Sequence, residues 1–350
     1  MSKVYDCLIV GAGPSGSILG YELASKGFST IILEKERLPR YKVCAGGLPH
    51  RICELLDFDL SSITEDRITK IEFTHKLEDR YIFQNDEPFA YTVKREKFDY
   101  FLTQRTKKEG CEIKTGEKVT KVEINRDRVD VITSRNRYKA KILVGGDGVR
   151  SVVADKFHIT RRAVTTIEAE VKFDDMKKHQ GMMKIDWGII PFGYAWALPK
   201  KDVLSVGIGA LKSRVKDLKG YFERWLEYCG VRDQKMKVYT FSVSLGGLKS
   251  KIAGERTCLI GDAGNFVHPL TAEGIYYGVK SANLASIAIE KALRRKSYNL
   301  SEYQELVERE IYPHFKKLYL FSGFLYTFSK LGYTIWIKNN RTLFKYFFKT

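Results

Sequence analysis

Val4-Tyr5-Asp6-Cys7-Leu8-Ile9-Val10 runs directly into Gly11-Ala12-Gly13-Pro14-Ser15-Gly16, with Gly20 a helical turn further on. The residues before the glycines form a nearly continuous apolar run, as strands buried on both faces of a parallel sheet do. The order is strand, glycine turn, helix, with the helix expected over 14–27. Gly11 permits the tight turn, Gly13 lets backbone approach a pyrophosphate, and Gly16 lets the helix pack closely on the strand. The helix N-terminus then offers free N–H groups and a partial positive charge, worth about 0.3–1 kcal/mol toward an anion.

The next strand, Ser29 to Leu33, ends at Glu34. A carboxylate about 20 residues after the glycines accepts hydrogen bonds from the ribose hydroxyls of an adenosine. A bare tight turn has no use for that acid, so strand, turn, helix and Glu34 together specify nucleotide binding. Two later segments repeat the theme. Ile142-Leu143-Val144-Gly145-Gly146-Asp147-Gly148-Val149-Arg150-Ser151 is an apolar strand entering a glycine–acid turn. Thr257-Cys258-Leu259-Ile260-Gly261-Asp262-Ala263-Gly264 is another, followed after His268-Pro269-Leu270 by a helix expected from about Thr271 to Leu293.

With these turns the chain resembles the FAD-dependent oxidoreductases of the hydroxybenzoate-hydroxylase-like fold. The resemblance implies an α/β (α+β overall) architecture: a Rossmann-type FAD-binding domain, an antiparallel-sheet substrate or cap domain, and a C-terminal helical segment. It also implies that Asp262 binds the ribityl chain, that Asp147 supports the pyrophosphate region, and that the helix after Gly274 and Ile275 directs its N-terminus at the flavin. Arg95, which opens a helix running to about Lys108, is implied to contact the FAD phosphates. The cofactor set is Gly11, Gly13, Pro14, Ser15, Gly16, Glu34, Lys35, Cys44, Ala45, Gly46, Arg95, Val119, Asp147, Gly148, Asp262, Gly274 and Ile275. No metal site is expected.

Two further stretches narrow the resemblance to geranylgeranyl reductases, the digeranylgeranylglycerophospholipid reductases among them. Pro191-Phe192-Gly193-Tyr194-Ala195-Trp196-Ala197-Leu198-Pro199 is similar to that family's P-x-x-Y-x-W-x-F-P signature, with Leu198 in place of Phe. Lys42-Val43-Cys44-Ala45-Gly46-Gly47 is similar to its K-x-C-G-G-G turn beside the flavin, with Ala45 in place of glycine. Ala272 likewise replaces a commoner glycine. Read from the residues alone, Tyr194, Trp196 and Leu198 share one face of a strand, because strand side chains alternate with period two. That stripe serves either a core or a ligand wall, and bracketing prolines with two polar-capable aromatics favour the wall. Together with the resemblance, which implies that Cys44 lies beside the flavin ring, this makes Pro191, Tyr194, Trp196, Leu198 and His268 the candidate substrate contacts, and Cys44, Tyr194 and Trp196 the candidate catalytic residues. Aromatic faces would stabilise the cationic character that develops when an isolated alkene is protonated, by about 2 kcal/mol. The proton donor is left open among Tyr194, His268, His50 and water.

At 350 residues the chain suits two domains. Its net charge of +18 suits an anionic headgroup or a plain solvated basic surface, and the dispersed lysines and arginines, with no nucleic-acid module, exclude nucleic acid as a partner. Six cysteines without C-x-x-C pairs point to a reducing cytoplasm, and the N-terminus leaves no room for a signal peptide. The expected division is an FAD domain of 1–60, 93–155 and 255–300, a sheet domain of 61–92 and 156–254, and a C-terminal aromatic, basic segment of 301–350. Strands are expected at 71–74, 80–83, 162–173, 182–190, 193–199, 202–211 and 237–245. A second Rossmann motif for NAD(P)H is absent, so the electron donor is a transiently bound NAD(P)H or a ferredoxin-type protein. After Glu310 there is no acid, and residues 318–337 read as one wide apolar helix with a polar stripe at Gly323, Thr327, Lys330 and Thr334. That helix either closes a prenyl tunnel or meets the inner face of the cell membrane. The leading function is saturation of geranylgeranyl chains on an archaeal-type lipid precursor. A quinone or chlorophyll precursor is the alternative substrate, and a flavin-dependent monooxygenase or halogenase the alternative class.

Overall fold

The computed structural model describes residues 3–172, 176–247 and 249–338. It divides into two units, one of residues 1–41, 96–161 and 244–319 and one of residues 42–95, 162–243 and 320–350.

The first unit is built on a sheet with strand order Ala253–Gly254, Thr257–Leu259, Arg137–Gly145, Val4–Val10, Thr30–Glu34, Glu112–Thr115. From Thr257–Leu259 to Glu112–Thr115 every neighbour is parallel. Cys7, Leu8 and Ile9 have no exposed surface, as the unbroken apolar run requires of a strand covered on both faces. The strands Val119–Ile124 and Val129–Thr133 form an antiparallel extension from Arg137–Gly145. Helices Pro14–Ser25 and Ile275–Arg295 pack on one another, which brings the chain after the Gly261 turn beside the chain after the Gly11 turn.

The second unit carries a seven-stranded sheet in the order Val238–Leu245, Arg162–Val171, Leu204–Leu211, Gly193–Pro199, Met182–Trp187, Lys70–His75, Glu78–Gln84. Five of the seven expected strands start within one residue of their reading and the other two, Glu78–Gln84 and Leu204–Leu211, within two, since period-two alternation is a local signal. Its strand Leu204–Leu211 is buried along its whole length, on both faces, and one face forms the main core. Ile167, Ala169, Ala195, Ala197, Leu204, Val206 and Ile208 point into a core with Phe222, Trp225 and Leu226 of helix Leu218–Tyr228. Burying those three large side chains contributes about 1.5–3 kcal/mol each. Trp225 also donates its indole N–H to the Trp196 carbonyl at 2.8 Å. The helix starts at Asp217, whose carboxylate accepts the Gly220 N–H at 2.9 Å. This helix was not read from the sequence. Neither was a small sheet pairing Ala90–Val93 with both Gly47–Pro49 and Thr64–Ile68.

Three expected boundaries shift. Residues 42–60 group with the second unit, because Gly47–Pro49 pairs with Ala90–Val93. The helix expected from Thr271 begins at Ile275, because His268 and a left-handed Ala272 hold the preceding residues in a turn. The single C-terminal helix is three pieces: Tyr312–Thr327, Ser329–Gly332 and a π-helical Tyr333–Lys338. Its first turns belong to the first unit, and residues from Leu320 onward to the second. The Thr327 and Thr334 hydroxyls turn back onto the Gly323 and Lys330 carbonyls. Residues 339–350 of the expected segment lie outside the described residues.

Candidate flavin site

In the first unit three turns converge. Gly11 has φ +98°, and a Cβ there would lie 2.5 Å from the Gly146 carbonyl oxygen, so the first and second glycine turns touch backbone to backbone. A Cβ on Gly261 would lie 2.5 Å from Ser15 Oγ, which sets the third turn against the first. By contrast, the side-chain directions of Gly13 and Gly148 open onto free space. The helix beginning at Pro14 has no side-chain cap and no acid in its own first turn, which leaves its orphan N–H groups and dipole for a ligand anion.

Glu34 is buried at the end of its strand. Its Oε2 accepts the Ala12 N–H at 2.9 Å and its Oε1 the Glu36 N–H at 3.0 Å, leaving one lone pair on each oxygen. Arg40 braces it, with Nε 3.8 Å from Glu34 and Nη1 3.0 Å from the buried Asp99. Asp147 is half-buried, with its Oδ1 shielded from solvent. Its Oδ2 accepts the Val152 N–H at 2.8 Å, while Oδ1 has no hydrogen-bond partner among the described residues. Burial pushes its carboxyl above the usual range. A buried acceptor with nothing to accept is the mark of a ligand donor such as a hydroxyl.

Asp262 lies over Gly274, whose Cβ direction meets Asp262 Oδ1 at 3.2 Å. Arg161 locks this turn. Its Nη1 donates to the Asp262 carbonyl and to Asn265 Oδ1, both at 3.1 Å, and its Nη2 to the Ala263 carbonyl at 3.3 Å. Asn265 is left-handed at φ +61° and ties the turn to the Thr160 carbonyl. His268 has its Nδ1 3.1 Å from the Thr271 N–H and 3.3 Å from the Leu270 N–H. That nitrogen is therefore an acceptor occupied by the turn, and the ring packs among Tyr277, His314 and Phe315. Arg161 and Arg40 were missed in the sequence because an arginine bound to carbonyls or to a distant acid has no local signature.

In the second unit the Cys44 turn is held from two sides. Gly46, at φ +76°, would place a Cβ 2.0 Å from the Val93 carbonyl, and its N–H points at Cys44 Sγ 3.4 Å away. Cys44 and Ala45 are half-buried. Leu198 and the Lys200 stem pack against Gly47 and Gly46.

Tyr194, Trp196 and Leu198 share the sheet face opposite helix Leu218–Tyr228, as the alternation requires. The face is a wall of stacked rings. Tyr326 stacks on Trp187 with centroids 4.9 Å apart and planes 8° from parallel. Trp187 stacks toward Tyr194 at 6.2 Å, and Tyr194 leads to Trp196 at 5.8 Å. The Trp196 ring lies across Gly207, where a Cβ would come within 2.3 Å of it. The indole N–H groups of Trp187 and Trp196 are buried without a partner among the described residues. Trp187 and Tyr326 are additions that period-two reading of one strand cannot supply.

The remaining expected residues are scattered. Pro191 and Lys35 are exposed, and Val119 is buried in its strand. Arg95 heads helix Arg95–Lys108 half-buried, its charge close enough to favour ionised Glu168. His50 is exposed and bonds Tyr91 at 2.9 Å.

Converging glycine turns, an uncapped helix end, a buried acid after the second strand and an orphaned Asp147 oxygen define a flavin-dinucleotide-binding oxidoreductase, and FAD is the cofactor these residues fit. Residues 4–190 match the family of the FAD binding domain, and the chain belongs to that family. It is 27% identical to the digeranylgeranylglycerophospholipid reductase of Methanococcus vannielii, over 87% of this chain and 82% of that one. Its fold is similar to that of a geranylgeranyl bacteriochlorophyll reductase-like protein from Thermoplasma acidophilum, with a TM-score of 0.87, 21% identity and coverage of 98% and 94%. A halogenase in complex with FAD follows the fold at a TM-score of 0.71 and 16% identity, over 87% of this chain and 73% of that one.

Proposed function

We propose that this protein is a prenyl reductase that saturates isolated double bonds of geranylgeranyl chains, with an archaeal-type glycerophospholipid precursor as substrate. The observation that carries this is the ring wall of Tyr326, Trp187, Tyr194 and Trp196. It is an extended aromatic surface, buried at Trp187 and Trp196 and half-buried at Tyr194 and Tyr326, as a polyprenyl chain requires. Burying about 10 methylene equivalents at about 0.8 kcal/mol each binds such a chain with few polar contacts. The likeness to named digeranylgeranylglycerophospholipid reductases supports the same reading.

FAD, when bound, supplies the hydride equivalent that a carbon–carbon double bond needs. Gly11, Gly13, the Pro14 helix end, Glu34, Asp147 and Asp262 hold it. The wall orients the chain and excludes water, and its aromatic faces favour positive charge developing on an alkene carbon. Cys44 shapes the turn next to Gly46. A transient NAD(P)H or a ferredoxin-type protein provides the electrons, and the protein works at the inner face of the membrane where its substrate resides.

Anaerobic incubation with dithionite and a digeranylgeranyl lipid, followed by mass spectrometry, tests the reading. A gain of two hydrogens per bond is the expected product. The halogenase likeness keeps one competitor, an oxygen-dependent monooxygenase or halogenase. A product formed only with O₂, and none under dithionite, would overturn the reductase.

A further inference from the structure

Saturating a double bond adds a hydride to one carbon and a proton to the other, and the second unit holds a buried acid placed to carry that proton. We propose that Glu168 is the proton-holding residue of the reaction, with Lys200 and Ser205 as its positioning residues; this rests on the prenyl-reductase reading above.

Glu168 belongs to strand Arg162–Val171, whose Ile167, Ala169 and Val171 enter the core beneath helix Leu218–Tyr228. Alternation turns Glu168 to the opposite face, the one that carries Trp196. The register places the two in one row: Glu168 pairs with Gly207, and Gly207 pairs with Trp196. The residue between them has no side chain, and the Trp196 ring lies over it. Carboxyl and indole are therefore neighbours across a glycine, on the wall where the prenyl chain is proposed to lie.

The charges around Glu168 are unequal. Lys200, 1% exposed, reaches in from the end of strand Gly193–Pro199 and binds Glu170 rather than Glu168. Ser205, on the neighbouring strand, donates to Glu168 Oε1 at 3.1 Å. Arg95, at the head of its helix, is the other cation in range. Two acids thus share one buried lysine, Glu170 takes its ammonium, and Glu168, itself only 2% exposed, is left as the acid that carries a proton. Burial outweighs the pull of Lys200 and pushes the Glu168 carboxyl up to about 7. A proton held at that level is available under neutral conditions and returns from solvent after use, as acid catalysis requires.

The balance is simple. The Glu168 O–H bond breaks, and its proton forms the new C–H bond at one alkene carbon. A hydride, which FAD would supply when bound and reduced, forms the other, and the double bond is consumed. The carboxylate left behind is held by the Ser205 hydroxyl and the Lys200 charge until it takes a proton from water.

The test is single-turnover reduction of a digeranylgeranyl lipid by dithionite-reduced holoprotein across pH 5 to 9, with melting of the apoprotein across the same range. Wild-type turnover is expected to fall as pH rises through about 7. Glu168→Gln is expected to lose about 100-fold or more and to show no such inflection. Glu168→Asp should keep the inflection and part of the rate. In the apoprotein, the folded state holds the Glu168 proton to higher pH than the unfolded chain does. Wild-type stability therefore declines as pH rises from the ordinary glutamate range to about 7, and the Gln variant lacks that decline. Comparable FAD affinity of the variants certifies their fold; if the Gln variant does not bind FAD, the Asp variant and the wild-type melts carry the test. An active wild type with an unimpaired Glu168→Gln variant, or an unchanged pH profile in it, overturns this role alone. A wild type that reduces no prenyl chain at any pH overturns the functional reading and this role together.

Discussion

Arg161 donates from Nη1 to the side-chain oxygen of Asn265 at 3.1 Å, and the same nitrogen holds the Asp262 carbonyl at the same distance. The turn that carries Asp262 is thereby shaped by a residue about a hundred positions upstream. Arg161→Met removes three charge-assisted bonds, and the Ala263 carbonyl loses its arginine donor while the Asp262 carbonyl keeps only the Asn265 N–H. FAD affinity, read by quenching of flavin fluorescence on titrating the apoprotein, should weaken by about 10- to 100-fold, equivalent to about 1.4–2.8 kcal/mol. Asn265→Val, which forces a β-branched residue to φ +61°, should weaken it at least as much. Wild-type affinity in both variants would show that the turn is rigid without them.

Gly207 exists for Trp196. A methyl group at Gly207 would stand 2.3 Å from the indole, so Gly207→Ala must move the ring off the strand. Because the nucleotide turns belong to the other unit, FAD binding should stay within about twofold of wild type while prenyl turnover falls by about 10-fold or more. Trp196→Ala should show the same separation. Equal loss of flavin and turnover in either variant would mean that the ring supports the fold rather than the substrate.

Asp79 is the anchor of the C-terminal pieces. Lys330 binds its Oδ2 and Lys338 its Oδ1, and the Tyr333 hydroxyl donates to its backbone carbonyl. Hydrogen bonds from Lys330 and Lys338 hold its carboxyl down at about 2. A depressed acid contributes stability above its ordinary pKa of 3.8 and loses it as pH falls through about 2. At neutral pH, Asp79→Asn should speed amide exchange across residues 329–338 by several-fold. Below about pH 2 the variant and wild type should converge. No difference at neutral pH would assign the anchoring to the Tyr333 bond to the backbone instead.

The readable parts of this molecule are those whose cause is contiguous in the chain. Strand, glycine turn, helix and Glu34 lie within a few dozen residues, and each obeys a local rule of backbone sterics or burial. The face shared by Tyr194, Trp196 and Leu198 follows from alternation along one strand. Arg40, Arg161 and Lys200 were silent because their partners Asp99, Asn265 and Glu170 are brought to them only by the fold. The wall grew by Trp187 and Tyr326 for the same reason: strand pairing and helix return put them there. The late start of helix Ile275–Arg295 was hidden because the His268 ring nitrogen ties up the Leu270 and Thr271 N–H groups in a turn, a role that composition does not announce.

The C-terminal helices are apolar on both sides. Leu325 and Tyr326 face inward, where Tyr326 stacks on Trp187. Leu320, Phe324, Phe328, Leu331 and Ile335 are exposed, and Phe324 meets Phe328 at 5.3 Å across the end of helix Tyr312–Thr327, so these pieces present an outer apolar stripe. No helix among the described residues is long and apolar enough to cross a membrane. Yet a water-facing row of this kind has a use if it lies against acyl chains, with Lys316 and Lys317 of the same helix exposed toward anionic headgroups. Each such lysine is worth about 1 kcal/mol at an anionic surface. Flotation with vesicles containing an anionic phospholipid should recover the protein at low salt and lose most of it in about 0.5 M salt, where charges are screened within a few ångströms. Phe324→Ser with Phe328→Ser should reduce recovery about 10- to 100-fold while leaving turnover of detergent-dispersed substrate unchanged, because neither ring faces the wall. Protein that stays at the bottom of the gradient under all conditions, yet dimerises through the stripe as its concentration rises, would show that a second copy and not a bilayer covers these residues.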